Sequence, residues 1–128
     1  AYMAFTSRDS VIDIEVPPEG LAAYEEGKQY YYSRRGQLNF SCSHCHMQMS
    51  GMKLRAETLS ATIGHVTHWP VYRLKWQEIG PLHRRFKECN EQVGAEGLEY
   101  QSETYRNLEY FLTYMSQGLP LNGPASRK

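Results

Sequence analysis

The five residues CSHCH, Cys42 to His46, constrain this chain more than any other stretch. They spell C-x-x-C-H, two thiols three residues apart followed at once by an imidazole, which is the attachment pattern of a c-type haem. The spacing has a mechanical cause. Thiols one helical turn apart reach the two vinyl groups along one edge of a porphyrin, and the next side chain then lies under the iron. Thiol–disulfide exchange and half of a zinc site are the competing chemistries of such a pair. A zinc site needs a second ligand pair, and only Cys89 and scattered histidines remain. A redox C-x-x-C belongs in a strand–helix–strand setting, which the flanking sequence does not offer. The reading is one covalently attached haem c, with Cys42 and Cys45 as thioether positions and His46 as proximal ligand.

That reading also accounts for an oddity of composition. The chain of 128 residues has ten tyrosines but few isoleucines and valines. A single domain short of aliphatic side chains needs another source of buried apolar surface. A haem is a large flat apolar body, and aromatics such as Tyr30, Phe40 and Trp69 can pack round it. Fourteen basic residues balance fourteen acidic ones, which argues against non-specific nucleic-acid binding or a membrane-surface role. No run approaches the roughly 20 apolar residues of a membrane span. The opening AYMAFTSRDS lacks the basic start and apolar stretch of a signal peptide. Covalent haem attachment points to an oxidising compartment outside the cytoplasm, so a leader is expected to have been removed.

Periodicity supplies a coarse layout. VIDIEV (Val11 to Val16) alternates as a short strand or extended arm, and two prolines follow. A helix is expected from about Glu19 to Tyr32, with Leu21, Tyr24, Gly27 and Tyr31 sharing a face. VYRLKWQEIG to HRRFKECNEQV reads as one or two helices jointed at Gly80 and Pro81. QSETYRNLEYFLTYMSQG is the clearest helix, capped near Ser102 and ended by Gly118, with Tyr105, Leu108, Leu112 and Met115 on one face. The expectation is a mostly α, class I cytochrome c-like single domain with covalently bound haem. Residues 18–128 would form it, and residues 1–17 an extended arm or linker remnant.

The sixth iron ligand is left open by these arguments. Met47 and Met49 lie too near His46 to swing to the other face, and Met52 is little further. Met115 falls on the apolar stripe of the last helix, where core packing is the ordinary role. His65, His68 and His83 are further candidates, whereas His44 is enclosed within the attachment loop. Cys89 is the third option. Arg84, Arg85 and Lys87 stand beside it and would favour its thiolate, a strong haem ligand.

Three stretches carry a resemblance: GQLNFSCSHCH, WPVYRLKWQEIGPLHRRFKECNEQV and LEYFLTYMSQGLPL. Together they resemble the C-terminal haem domain of the SoxA family, the larger subunits of the SoxAX cytochrome complexes of bacterial sulfur oxidation, over about Gly27 to Pro120. The resemblance implies thioether roles for Cys42 and Cys45, His46 as proximal ligand, and Cys89 as distal ligand and active-site residue, found in the family as a persulfide. Arg85 matches a substrate-contacting arginine. The implied reaction oxidatively joins thiosulfate to a cysteine of the carrier SoxY and passes electrons through haem to SoxX or soluble cytochromes, in the periplasm. This is L-cysteine S-thiosulfotransferase activity. Family members are longer, with an N-terminal cytochrome-like domain. Two other functions compete: a simple electron carrier with His46 and Met115 as ligands, and a haem module with an open sixth position.

Overall fold

The computed structural model describes residues 2–128. In chain order it contains α1 (Tyr2–Ser7), a 3-10 turn (Pro18–Gly20), α2 (Leu21–Tyr32) and a π turn (His44–Gln48). Two tiny strands follow, β1 (Lys53–Leu54) and β2 (Glu57–Thr58), then β3 (Val71–Arg73) and β4 (Glu78–Gly80). The chain closes with α3 (Leu82–Gln92), α4 (Glu103–Met115) and β5 (Ala125–Arg127). β1 and β2 pair antiparallel, while β3 lies between antiparallel β4 and parallel β5. Among the described residues no helix is long and apolar enough to cross a membrane.

The core is the crossing of α2 over α4. Tyr31 from α2 packs with Leu108, Phe111 and Leu112 from α4, all nearly excluded from solvent. Tyr24, Tyr31 and Tyr32 each meet the ring of Phe111, with centroids 5.5, 5.5 and 6.4 Å away. Such offset aromatic contacts add to the area they bury, so tyrosine does here the work that isoleucine and valine do elsewhere. The helices approach closely because of Gly27. A Cβ built on Gly27 would lie 2.0 Å from the Asn107 carbonyl oxygen, backbone against backbone. α4 begins as its sequence dictates: the Ser102 hydroxyl accepts the Tyr105 N–H, closing the first turn.

Residues before α2 are tied to the end of the chain. Ile12 N–H donates to Leu119 O at 2.9 Å, and Gly118 N–H returns a bond to Ile12 O at 2.9 Å. Ile12 itself is buried, so the alternation in VIDIEV is realised as an extended segment with one face inward. The helix at Tyr2–Ser7 was not signalled by any period in the first residues.

One expectation is overturned. VYRLKWQEIG is a β-hairpin, with Val71 opposite Gly80 and Arg73 opposite Glu78, and only the segment after Pro81 is helical. Its strands are three residues long, too short for alternation to show above helical spacing. The turn passes through Gln77 at φ 55, a left-handed position that carries no glycine to announce it. Gly80 ends β4 under the indole of Trp76, where a Cβ would fall 2.6 Å from a ring carbon.

Gly27→Ala is expected to cost about 3 kcal/mol or more, because the methyl meets backbone that cannot repack. Gly51→Ala, strained at φ 87 but with open space around it, should cost only about 1 kcal/mol. Urea unfolding of the two variants side by side checks the contrast.

Candidate functional site

His46 sits in the π turn, where Met49 N–H bonds back to His44 O across five residues. Its Nδ1 lies 2.8 Å from the carbonyl oxygen of Ser60. A carbonyl only accepts, so Nδ1 carries the proton and Nε2 is left with its lone pair. Burial holds the imidazole below its ordinary pKa, against the opposing pull of the Ser60 carbonyl. A neutral imidazole with a free Nε2 and a fixed orientation is what a metal ligand requires. Cys42 and Cys45 are unpaired thiols, both raised in pKa by burial. Arg35 lies over the Tyr30 ring at 3.7 Å and points Nη1 at Cys42 Sγ, 3.6 Å away. This donor set fits haem c.

Three of the other histidines are held by hydrogen bonds. His44 Nδ1 accepts the Ser41 N–H at 3.1 Å. His65 stands edge-on to the His46 ring, with centroids 4.4 Å apart, and Ser60 Oγ bonds its Nε2 at 2.9 Å. Burial first, then His46, pushes it down to about 3, so it is neutral and lies against His46 itself. His83 is locked between the Gln101 N–H, 2.9 Å from Nδ1, and Glu109, 2.7 Å from Nε2. His68 lies against Trp69. Met115 packs on the α2–α4 core cluster, its ordinary role, while Met47 and Met52 are exposed.

Cys89 lies on α3 one turn after Arg85, so the two side chains share a helix face. Burial pushes the Cys89 thiol up, Arg85 pulls it down, and Cys42, Glu88 and Cys45 push it up further. The structure therefore brings Cys89 into the electrostatic neighbourhood of Cys42 and Cys45, and Arg85 into that of Cys89. Arg85 also bears on His46. Of the basic cluster that sequence reading expected to favour a thiolate, only Arg85 turns this way. Arg84 pairs with Glu78 and covers the Trp76 indole at 4.4 Å, and Lys87 packs its chain against Gly97.

Arg85 is part of a charge network that sequence reading missed. Its Nη1 donates to Glu88 Oε2 at 3.2 Å and its Nη2 reaches Glu57 Oε2 at 3.5 Å. Arg73 bonds the same two carboxylates, Glu57 Oε1 at 2.5 Å and Glu88 Oε2 at 3.4 Å. Trp76 Nε1 holds the remaining oxygen of Glu88 at 2.5 Å. Burial works against charge on Arg85, but Cys89, Glu57 and Glu88 outweigh it and keep the guanidinium cationic. Arg73 is almost wholly buried, with an Nε that has no partner. Its burial follows the strand alternation, Val71 in, Tyr72 out, Arg73 in, over too few residues for the pattern to show in sequence.

The cytochrome c domain model of SoxA/TsdA proteins matches residues 26–121, which span every site element above. This chain belongs to the SoxA/TsdA cytochrome c domain family. It is 63% identical over its full length to the L-cysteine S-thiosulfotransferase subunit SoxA of Allochromatium vinosum, covering 47% of that protein. The SoxA subunit of Chlorobaculum thiosulfatiphilum is 55% identical, again over the whole chain and 45% of the relative. The chain thus spans about half the length of the curated relatives it matches. Among solved structures, SoxXA from P. pantotrophus superposes with a TM-score of 0.91 at 30% identity, over 98% of this chain and 47% of that one. A cytochrome c domain of this family takes haem c.

Glu88 is held below its ordinary 4.5 by Trp76, Arg85 and Lys75, against the upward push of burial. A carboxylate so depressed adds stability above the unfolded pKa and loses it as pH falls through the folded one. Glu88→Gln is expected to cost about 1–3 kcal/mol at neutral pH and to flatten the acid limb of stability below about pH 4.5. Denaturant unfolding at several pH values checks both.

Proposed function

We propose that the chain is the catalytic haem domain of a periplasmic L-cysteine S-thiosulfotransferase, with a class I cytochrome c-like, mostly α architecture over residues 18–128. Cys42 and Cys45 would attach one haem, and His46 Nε2 and Cys89 would ligate its iron. Thiosulfate is the substrate, a SoxY-type carrier cysteine the acceptor, and SoxX the partner subunit. The observation that carries the reading is the placement of Cys89 one helical turn from a cationic Arg85 and within electrostatic reach of the C-x-x-C-H thiols. Support for the substrate and partner comes from the SoxA relatives and the SoxXA structure.

The chemistry assigned to the residues is as follows. Thiosulfate is a dianion, and the guanidinium of Arg85 offers a planar fork for its sulfonate oxygens. Its sulfane sulfur then faces the Cys89 sulfur on the same helix face. A bond forms between the Cys89 thiolate sulfur and the sulfane sulfur as two electrons leave the pair. The carrier thiol attacks the sulfane sulfur next. Cys89 departs as the thiolate, the carrier's proton passes to solvent, and the thiosulfonate is left on the carrier. Arg85 balances the sulfonate charge throughout. When bound, haem c supplies the one-electron carrier through which the two electrons pass on to SoxX or a soluble cytochrome.

Cys89→Ala is expected to abolish thiosulfate transfer to a carrier cysteine; transfer at wild-type rate refutes the role. Arg85→Lys keeps the charge but loses the fork, so kcat/KM should fall by about tenfold or more. An unchanged value removes Arg85 from the site.

A further inference from the structure

The two carboxylates that hold Arg85 are not equivalent. Glu88 is an inside partner: it lies three residues on in the same helix, is 18% exposed, and has its other oxygen fixed by Trp76. Glu57 comes from the β1–β2 hairpin, whose four strand residues are all exposed, and is itself 49% exposed. Its contact with Arg85 is long, at 3.5 Å, whereas its other oxygen is 2.5 Å from the buried Arg73. Glu57 is therefore anchored by Arg73 and only loosely engaged with Arg85.

The local charge count gives that asymmetry a meaning. Three cations, Arg73, Lys75 and Arg85, face two carboxylates, leaving a surplus of one positive charge. An arriving dianion meets one carboxylate already on the outer edge of the guanidinium it needs. The oxygen of Glu57 is charged and planar, and it stands where an anionic ligand of Arg85 would put its own.

We infer that Glu57 is an internal competitor of the anionic substrate for Arg85, and that this half-exposed carboxylate sets the affinity of the site for thiosulfate. The anion displaces one Glu57 oxygen from Arg85. Arg73 retains the other, so the hairpin stays attached and the carboxylate needs only to turn. Glu88 keeps the guanidinium aimed during the exchange. The inference deepens the function proposed above and rests on Arg85 being the residue that meets thiosulfate.

Calorimetric titration of the haem-loaded full-length protein with thiosulfate, without carrier, tests it in four forms: wild type, Glu57→Gln, Arg85→Gln and the double variant. Gln keeps an oxygen for Arg73 and removes the charge. Glu57→Gln should bind thiosulfate about threefold to fivefold more tightly, the range set by a half-exposed ion pair. A merely structural Glu57 would weaken binding or leave it unchanged. Arg85→Gln should lose about tenfold or more, and adding Glu57→Gln to it should restore nothing, because the gain needs the freed guanidinium. Wild-type or weaker binding by Glu57→Gln, with Arg85→Gln impaired, overturns the competitor role alone. Undiminished binding by Arg85→Gln removes Arg85 from the anion site, and both readings fall together.

Discussion

At Gly27 the backbone of α2 comes so near the Asn107 carbonyl that no side chain fits between them, and that contact fixes the last turn of α2 against α4. Both halves of the candidate site hang from this turn. Tyr31 reaches Thr62 through its hydroxyl, and Thr62 bonds the carbonyl of His46 through both its backbone N–H and its side chain. Tyr30, the preceding residue, accepts from Asn90 at 3.0 Å, and Asn90 also donates to Tyr105 at 2.8 Å. Asn90 is the neighbour of Cys89. Adjacent tyrosines on one helix thus locate the His46 turn on one side and the Cys89 segment on the other. Burial raises Tyr31 to about 12, so the hydrogen-bonded phenol stays neutral across the working range of pH.

The polar side of the site obeys a different constraint. Arg73 is a charged group taken almost wholly out of water, which is costly unless its donors are matched. Two carboxylates meet that demand at both Nη atoms, leaving Nε without a partner, and the same two hold Arg85. Cys89 sits where burial favours the neutral thiol and one guanidinium favours its ion. A sulfur so placed responds to whatever charge arrives beside it, which suits the sulfur–sulfur exchange proposed for it. Rigidity comes from Glu88 and adjustability from Glu57, so positioning and exchange are divided between two residues of one chemical type.

How much of this was readable in advance depends on range. C-x-x-C-H is local, and it named the cofactor and three residues without help. The α4 periodicity and its Ser102 cap are local as well. The one-turn relation of Arg85 to Cys89 followed once that segment was taken as helical, and the resemblance to SoxA attached roles to both. The hairpin at Val71–Gly80 was read as helix because three-residue strands give alternation no room. Arg73 stayed hidden with it. Glu57 and Glu88 find Arg73 across 16 and 15 residues of sequence, on three different elements, and nothing in a one-dimensional pattern marks such a meeting. Ser60 was equally silent, since its part is played by a backbone carbonyl that any residue supplies.

In the proposed site the Cys89 sulfur, beside Arg85, would complete the iron ligation begun by C-x-x-C-H. Electron paramagnetic resonance of the ferric, haem-loaded protein tests it most directly, because the axial ligands set the low-spin signals. Low-spin signals of histidine–thiolate character are expected in the wild type, and their loss in a protein that lacks the Cys89 sulfur. A methionine-type charge-transfer band in the optical spectrum, or signals indifferent to the loss of that sulfur, would contradict it.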